Sequence, residues 1–351
     1  MTQLKVGIIG LGRAGIKMHM AELEKKQDMF KVVAGCDIAA DRREAAEKAL
    51  PGITLYDDYK LMILDPNIDI IAVATRSLDH VQHSIDALNA GKYVICEKPV
   101  TDRVSEFDRL VEASYKHPNH LFIRHNRRFE PAFNHIQEII ATGKLGNVFE
   151  IKLRRNSFQW RQDWQTIKEF GGGQLLNWGP HIVDQSLQFL ESPVESLWSN
   201  LKLCAALGDA EDHLKIILTG KNKRIVDMEI SGGCAISDPV YLIHGTRGSL
   251  LSQDEKTIKL KYLKETSNPP TCGPNPGNPP LEGGFGGQVN PEWIEEEIPV
   301  APANQEEITK QYDHVYDAIV KGIPYRIKLE EAREVVRVIE EVKKGAIDVM
   351  K

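Results

Sequence analysis

Val6-Gly7-Ile8-Ile9-Gly10-Leu11-Gly12-Arg13-Ala14-Gly15 passes from a β-branched apolar run straight into three glycines spaced Gly-x-Gly-x-x-Gly, and the next stretch, Ile16 to Glu24, has the length and amphipathic pattern of a helix. Strand, glycine turn and helix start, in that order, are the context in which the spacing signifies a dinucleotide-phosphate site rather than a plain turn. Gly10 permits the tight turn, Gly12 leaves the backbone bare for a pyrophosphate, and Gly15 lets helix and strand pack closely. Leu11, Arg13 and Ala14 share the same cradle, over the unpaired amides and positive dipole end of the helix. Asp37 ends the second apolar run at about the spacing of the carboxylate that accepts hydrogen bonds from ribose hydroxyls. A carboxylate there repels the extra phosphate of NADP and favours NAD, although Arg42 and Arg43 just downstream leave NADP open.

The alternation of this unit continues to Arg124. Apolar runs at Lys31 to Cys36, Asp69 to Ala74, Tyr93 to Cys96 and Leu121 to Ile123, with a short one at Ile53 to Tyr56, are separated by helix-length stretches at Asp41 to Ala49, His80 to Ala90 and Val104 to Lys116. Parallel strands need such crossovers, and near-continuous apolar strands are buried on both faces. The spacing predicts an α/β chain with an N-terminal Rossmann dinucleotide-binding domain over residues 1–124. Ligands bind such sheets beyond the carboxyl ends of the strands, which adds Ala74, Thr75 and Arg76 to the expected cofactor contacts.

From His125 the style changes. A helix at Pro131 to Thr142 leads into longer strands at Val148 to Arg155, Leu201 to Leu207, Leu214 to Thr219 and Arg224 to Ile230, several of them alternating polar and apolar residues. This predicts a C-terminal α+β domain over 125–351 with a large, mostly antiparallel open sheet, for substrate binding and oligomerisation. Ser267 to Gly287, rich in Pro, Gly and Asn, reads as an irregular loop, either a lid or a surface contact. Asn304 to Lys321 and Glu330 to Val349 read as amphipathic helices broken at Gly322 and Pro324.

The 351 residues suit two domains, and 42% hydrophobic with 27% charged residues is ordinary globular composition. A net charge of −6 with interspersed signs argues against nucleic acid, and no stretch reads as a membrane span. The start, Met1-Thr-Gln-Leu-Lys5, lacks the pattern of a secretory signal, which predicts a cytoplasmic protein. The five cysteines are scattered, without metal-ligand spacing, so reduced thiols and no metal site are expected.

Six further runs carry a resemblance: Ile71-Ala-Val-Ala-Thr75 with His80; Ala87-Leu-Asn-Ala-Gly-Lys-Tyr-Val-Ile-Cys-Glu97-Lys98-Pro99; and, later, Asn126-Arg-Arg-Phe129 with Pro131, Gly171-Gly-Gly173, Gly179-Pro-His181 with Asp184, and Gly245-Thr-Arg-Gly-Ser249. Together they resemble the Gfo/Idh/MocA family of sugar and cyclitol oxidoreductases. The resemblance implies hydride transfer between a secondary alcohol of a sugar or cyclitol and the nicotinamide, in carbohydrate metabolism, by a homo-oligomer, dimer or tetramer. It places Glu97 and Lys98 at the nicotinamide before a cis Lys98–Pro99 bond, and His80 and Asn126 near nicotinamide and substrate respectively.

The resemblance also selects His181 and Lys98 for catalysis: His181 as a neutral imidazole takes the hydroxyl proton while Lys98 stabilises the developing alkoxide. The sequence departs from the family at Asn177, where an Asp is usual four residues before the histidine. An amide orients but cannot accept a proton or carry charge, so Asn177 is given a substrate-binding role. Trp160 and Arg161 are the preferred substrate contacts, since aromatic faces beside hydrogen-bonding groups suit sugars. The alternatives are an NAD-dependent redox-assisted glycosidase and a non-catalytic dinucleotide-binding sensor.

Overall fold

A computed structural model describes residues 2–269 and 290–350. Cys272 and most of the irregular loop expected at 267–287 lie outside the described residues.

The first sheet holds β1 (Leu4–Ile9), β2 (Phe30–Cys36), β3 (Thr54–Tyr56), β4 (Ile70–Val73), β5 (Tyr93–Glu97) and β6 (Leu121–Arg124) in the order β3-β2-β1-β4-β5-β6. Every neighbouring pair is parallel. All four residues of β4 are buried, because one face packs Ile71 and Val73 with Phe107 and Leu110 while the other packs Ile70 and Ala72 with Phe30 and Phe122. The order reverses between β1 and β4, so the crevice for a ligand opens where the glycine turn after β1 faces the Ala74–Arg76 loop after β4.

The second sheet, among the described residues, runs β14-β13-β12-β11-β7-β10-β9-β8-β15, built from β7 (Val148–Asn156), β8 (Val194–Leu203), β9 (His213–Gly220), β10 (Ile225–Ser231), β11 (Tyr241–Gly245), β12 (Gly248–Ser252), β13 (Thr257–Leu263), β14 (Trp293–Pro299) and β15 (Ile347–Val349). It is mostly antiparallel, with parallel pairs β7/β10 and β8/β15. Its inner face meets the helices Gly179–Leu190 and Leu329–Lys343. The turn at Gly245 to Gly248 joins β11 and β12 as a hairpin.

Several elements differ from the sequence reading. The strand expected at Leu201 to Leu207 starts earlier and stops at Leu203, where the Asp212 carboxylate accepts the amides of Cys204, Ala205 and Ala206 and turns the chain. The helix expected to reach Val349 ends at Lys343, and Ile347–Val349 instead extends the sheet beside Leu201–Leu203. The stretch expected as one helix from Asn304 to Lys321 is a succession of short turns, Ile308–Lys310, Gln311–Tyr316 and Asp317–Lys321, closed by Gly322 at φ +68°.

The chain also returns. Tyr312, Val315 and Tyr316 pack into the first-sheet core with Val6 and Phe30, so the spatial unit around that sheet draws on residues well beyond 124. The helix Leu329–Lys343 lies between the two units, giving Ala332 and Val336 to the first core and Val335, Val338, Ile339 and Val342 to the second. Shared packing of this kind makes the units unfold together. Ile339→Ala, which empties a site only 1% exposed, is expected to cost about 2–5 kcal/mol. Tryptophan fluorescence reports the second unit alone, since Trp160, Trp164, Trp178, Trp198 and Trp293 all follow β6. In denaturant its midpoint and that of far-ultraviolet circular dichroism should fall together, and separate transitions would contradict the coupling.

Candidate active site

The glycine turn is shaped by three different constraints. Gly10 has φ +94°, and a Cβ there would stand 2.6 Å from the Ala74 carbonyl; at Gly15 a Cβ would run into the carbonyl oxygen of Gly10. At Gly12 a Cβ would meet nothing within 4 Å. The protein therefore does not need glycine at 12, whereas a diphosphate lying on the turn does, which is the fit expected of a dinucleotide cradle. Leu11 buries its side chain in the core and offers only backbone, while Arg13 is exposed and Ala14 half-buried.

The Asp37 carboxylate accepts the amide of Leu11 (2.9 Å) on one oxygen and that of Ala39 (3.0 Å) on the other, so it braces the turn and keeps lone pairs for hydroxyl donors. Arg43 donates to the carbonyls of Asp37 (2.7 Å) and Ile38 (3.1 Å), and Arg42 stands exposed beside Asp41. Across the crevice, Ala74 donates its amide to Ile9 and the Thr75 hydroxyl lies 3.2 Å from His83 Nδ1. The Arg76 guanidinium covers the Phe170 ring at 4.9 Å, a contact from the second unit. His80 is buried between two carbonyls, with Nδ1 2.8 Å from Pro99 O and Nε2 3.0 Å from Thr75 O. Burial lowers its pKa below the usual histidine value, and the carbonyls of Pro99 and Thr75 oppose that by favouring N–H on both ring nitrogens.

Lys98 follows β5 directly, its bond to Pro99 is cis, and its ammonium donates to the backbone carbonyl of Asn177 at 2.8 Å, joining the two units. Burial lowers its pKa to about 8; the guanidiniums of Arg127, Arg124 and Arg161 push the same way and Glu97 opposes. The Glu97 side chain points inward: one oxygen accepts from Arg124 (2.6 Å) and His19 Nε2 (3.1 Å), the other from the Lys98 amide (3.1 Å). Burial alone would raise this carboxyl, but Arg124, His19 and Lys98 outweigh it and hold it far below the carboxylate range.

His181 comes from the second unit. Gly173, at φ +110°, leaves room for the Glu211 carboxylate, which accepts the Leu175 amide at 3.0 Å and so starts the short helix Gln174–Asn177. The next helix opens Gly179-Pro180-His181, with proline in the first turn where no amide partner is lost. His181 is 7% exposed; burial, then Lys98, Arg127, His125 and Arg124, keep its pKa well below the usual value, so the ring is neutral. Asp184 does not hold that ring, because both its oxygens engage Arg128.

A recess beside Lys98 and Asn177 is lined by Gln159, Arg161, Gln165, Gln174 and Glu211. Arg161 donates to Gln165, whose amide donates to Asn177 Oδ1 at 3.3 Å. The structure thus brings Lys98, Asn177 and Arg161 together, with His181 one helical turn beyond Asn177. Trp160 stands outside the recess, 74% exposed, with its edge on Phe158. Asn126 is buried just past β6.

Sequence reasoning missed His125, Arg127, Gln165 and His19. The β5/β6 register pairs Glu97 with Arg124, which sets His125 beside Lys98, and both its ring nitrogens are buried without a hydrogen-bond partner. Its place at the carboxyl end of a parallel strand was the available signal. Arg127 lies 4.1 Å over the Trp178 ring. Among the described residues no group of three or more His, Cys, Asp and Glu is arranged to hold a metal.

The comparisons with known proteins agree with this geometry. Residues 4–125 match the model of an oxidoreductase family with an NAD-binding Rossmann fold, and residues 133–251 match a GFO/IDH/MocA C-terminal domain. An uncharacterized oxidoreductase of Schizosaccharomyces pombe is 27% identical, with 82% of this chain and 77% of the relative covered. The scyllo-inositol 2-dehydrogenase (NADP(+)) of Bacillus subtilis is 25% identical over 96% of this chain and 92% of its own. Among solved structures, an NAD-binding protein from Listeria innocua superimposes with a TM-score of 0.81 at 25% identity, covering 98% of this chain and 94% of that one.

The open space around Gly12 gives a direct test of the cradle. Gly12→Val should melt at the wild-type temperature yet bind NAD at least about tenfold more weakly in calorimetric titration, a loss of about 1.4 kcal/mol. Unchanged affinity would remove the diphosphate from this turn.

Proposed function

Because the chain belongs to the Gfo/Idh/MocA oxidoreductases and carries their NAD-binding Rossmann domain, we propose that it is a dehydrogenase that oxidises a secondary alcohol of a sugar or cyclitol, using NAD with NADP as the alternative. The observation that carries this reading is the hydrogen bond from Lys98 to the Asn177 carbonyl, which sets a charged donor, one turn of chain from a neutral histidine, beside a recess of amides.

When bound, the nicotinamide takes a hydride from the carbinol carbon. The chain's residues manage the proton and the charge. His181, neutral at physiological pH, takes the proton of the substrate hydroxyl on a ring nitrogen. Lys98 donates a hydrogen bond to the same oxygen and stabilises the alkoxide as it forms, in a site from which burial has removed most competing water. Gln159, Arg161, Gln165, Gln174 and Asn177 supply the mixed donors and acceptors that polyol hydroxyls require. Two inositol dehydrogenases among the relatives, one an NADP enzyme and one from Salmonella typhimurium that is 33% identical over 145 residues, support a polyol substrate. Self-association belongs, in this reading, on the outer face of the second sheet, where Trp198 is exposed.

Asn177 favours one other reading, a sensor that binds dinucleotide and turns nothing over. The two are separated by following reduced-nicotinamide absorbance with NAD and then NADP over a panel of inositols and aldoses. Lys98→Met should reduce the wild-type rate by on the order of 10²–10⁴-fold. Silence of the wild type across the panel, with NAD still bound, would sink the dehydrogenase and leave the sensor.

The pH profile follows from Lys98. Its ammonium is the donating form; it is fully present below about 8 and is lost above, so kcat/KM should decline as pH rises through about 8. Lys98→Arg should lower the rate but abolish that alkaline limb, because a guanidinium keeps its proton.

A further inference from the structure

The helix Gln311–Tyr316 reaches the site from the far end of the chain. Tyr312 is buried against the Phe30 ring at 5.7 Å and under the Arg124 guanidinium at 5.8 Å, and its hydroxyl stands 2.5 Å from His19 Nδ1. The other nitrogen of His19 lies 3.1 Å from Glu97 Oε1, and Glu97 Oε2 accepts the Lys98 amide at 3.1 Å. The polarity of this series is fixed. Burial, then the Arg124 charge, keeps His19 neutral, so its ring has one N–H. Glu97 is ionised and can only accept, which puts that N–H on Nε2 and leaves Nδ1 to accept from the Tyr312 hydroxyl.

We propose that Tyr312 is a positioning residue for the active site: by holding the His19 ring at Nδ1 it keeps the Nε2–H aimed at Glu97 and so holds the Glu97 carboxylate on the backbone of Lys98. The proposal rests on the reading of Lys98 as the catalytic cation. Without the Tyr312 hydroxyl nothing holds Nδ1, so the His19 ring can turn and withdraw its Nε2–H from Glu97 Oε1, which loosens the carboxylate from the Lys98 amide. The groups that face the Lys98 ammonium are the Glu97 carboxylate, the guanidiniums of Arg127, Arg124 and Arg161, and the rings of His181 and His125. Glu97 is the anion in that set, so a displaced Glu97 makes Lys98 easier to deprotonate.

The test reads Lys98 itself in the full chain without added substrate, by the pH dependence of its acetylation with acetic anhydride, followed by mass spectrometry of the peptide containing Lys98. Tyr312→Phe keeps the ring contacts and removes only the hydroxyl. Tyr316→Phe is the control: it sits on the same helix, packs on Phe30 at 5.7 Å and gives its hydroxyl to the Thr2 carbonyl at 3.0 Å, with no link to Glu97. The midpoint, near 8 in wild type and in Tyr316→Phe, should fall by on the order of half a pH unit in Tyr312→Phe. His19→Leu should shift it likewise, and His19→Gln, whose amide can accept from Tyr312 and donate to Glu97, should restore it. A midpoint unmoved in Tyr312→Phe, or moved equally by Tyr316→Phe, overturns the proposal. Acetylation needs no turnover, so the two readings fail separately: a shifted midpoint in a protein that oxidises no polyol sinks the dehydrogenase and keeps the relay, and the reverse pattern does the opposite.

Discussion

A carboxylate buried at the end of a parallel strand has to be paired, and most of what surrounds the site follows from how Glu97 is paired. An isolated ionised carboxylate in a low-dielectric interior costs several kcal/mol, roughly, and only close cations and donors offset it. Arg124, from the neighbouring strand, supplies the charge at 2.6 Å and is itself shared with Glu22 at 2.6 Å on the helix after the glycine turn. His19 supplies a dipole from that same helix. One buried anion thereby connects the strand that ends at Lys98, the helix that carries the diphosphate cradle, the next strand and, through Tyr312, the returning C-terminal segment. The pairing is a device for geometry more than for stability, since buried ion pairs contribute little net energy once desolvation is counted.

The second unit meets this frame at Lys98 through a hydrogen bond and, around it, a covered surface. The Lys98 ammonium reaches the Asn177 carbonyl, and the helix Leu329–Lys343 packs on both cores, so the distance from Lys98 to the histidine is set by packing on one side and a hydrogen bond on the other. Within the first unit the buried His80 ring fills the space between the loops after β4 and β5, one nitrogen against each. Positioning of this sort matters because a general base works only within hydrogen-bond reach of its proton.

Much of the first unit was legible because local and global signals agree there. The three glycines, Asp37 and the β-branched runs each have one physical meaning at that spacing, and all of them fit a sheet buried on both faces. Lys98 and His181 were singled out through motif resemblance, which supplied what spacing cannot. The C-terminal region was harder for a reason visible in single residues. Ile347-Asp-Val349 has no strand signal of its own and pairs only because Leu201–Leu203 offers an edge, and Tyr312 reads as one more apolar helix position until tertiary contact places it 2.5 Å from His19. His125 and Gln165 acquire meaning in the same way, from strand register and from a side-chain chain that no local pattern encodes.

Asn177 stands where the family resemblance implies an aspartate, and the surrounding charges give the amide a physical sense. A carboxylate beside His181 and Lys98 would raise both: an anion favours imidazolium over imidazole and ammonium over amine. With an amide in its place, burial, then Lys98, Arg127 and Arg124, lower His181 and keep it neutral, while Glu97 opposes the burial that brings Lys98 down to about 8. The outcome near neutral pH is one neutral ring and one ammonium with protons to share. Alcohol oxidation asks for that division of labour, an acceptor for the hydroxyl proton and a cation for the oxygen it leaves. On the proposed function, the amide at 177 leaves the tuning of Lys98 to the buried carboxylate behind it.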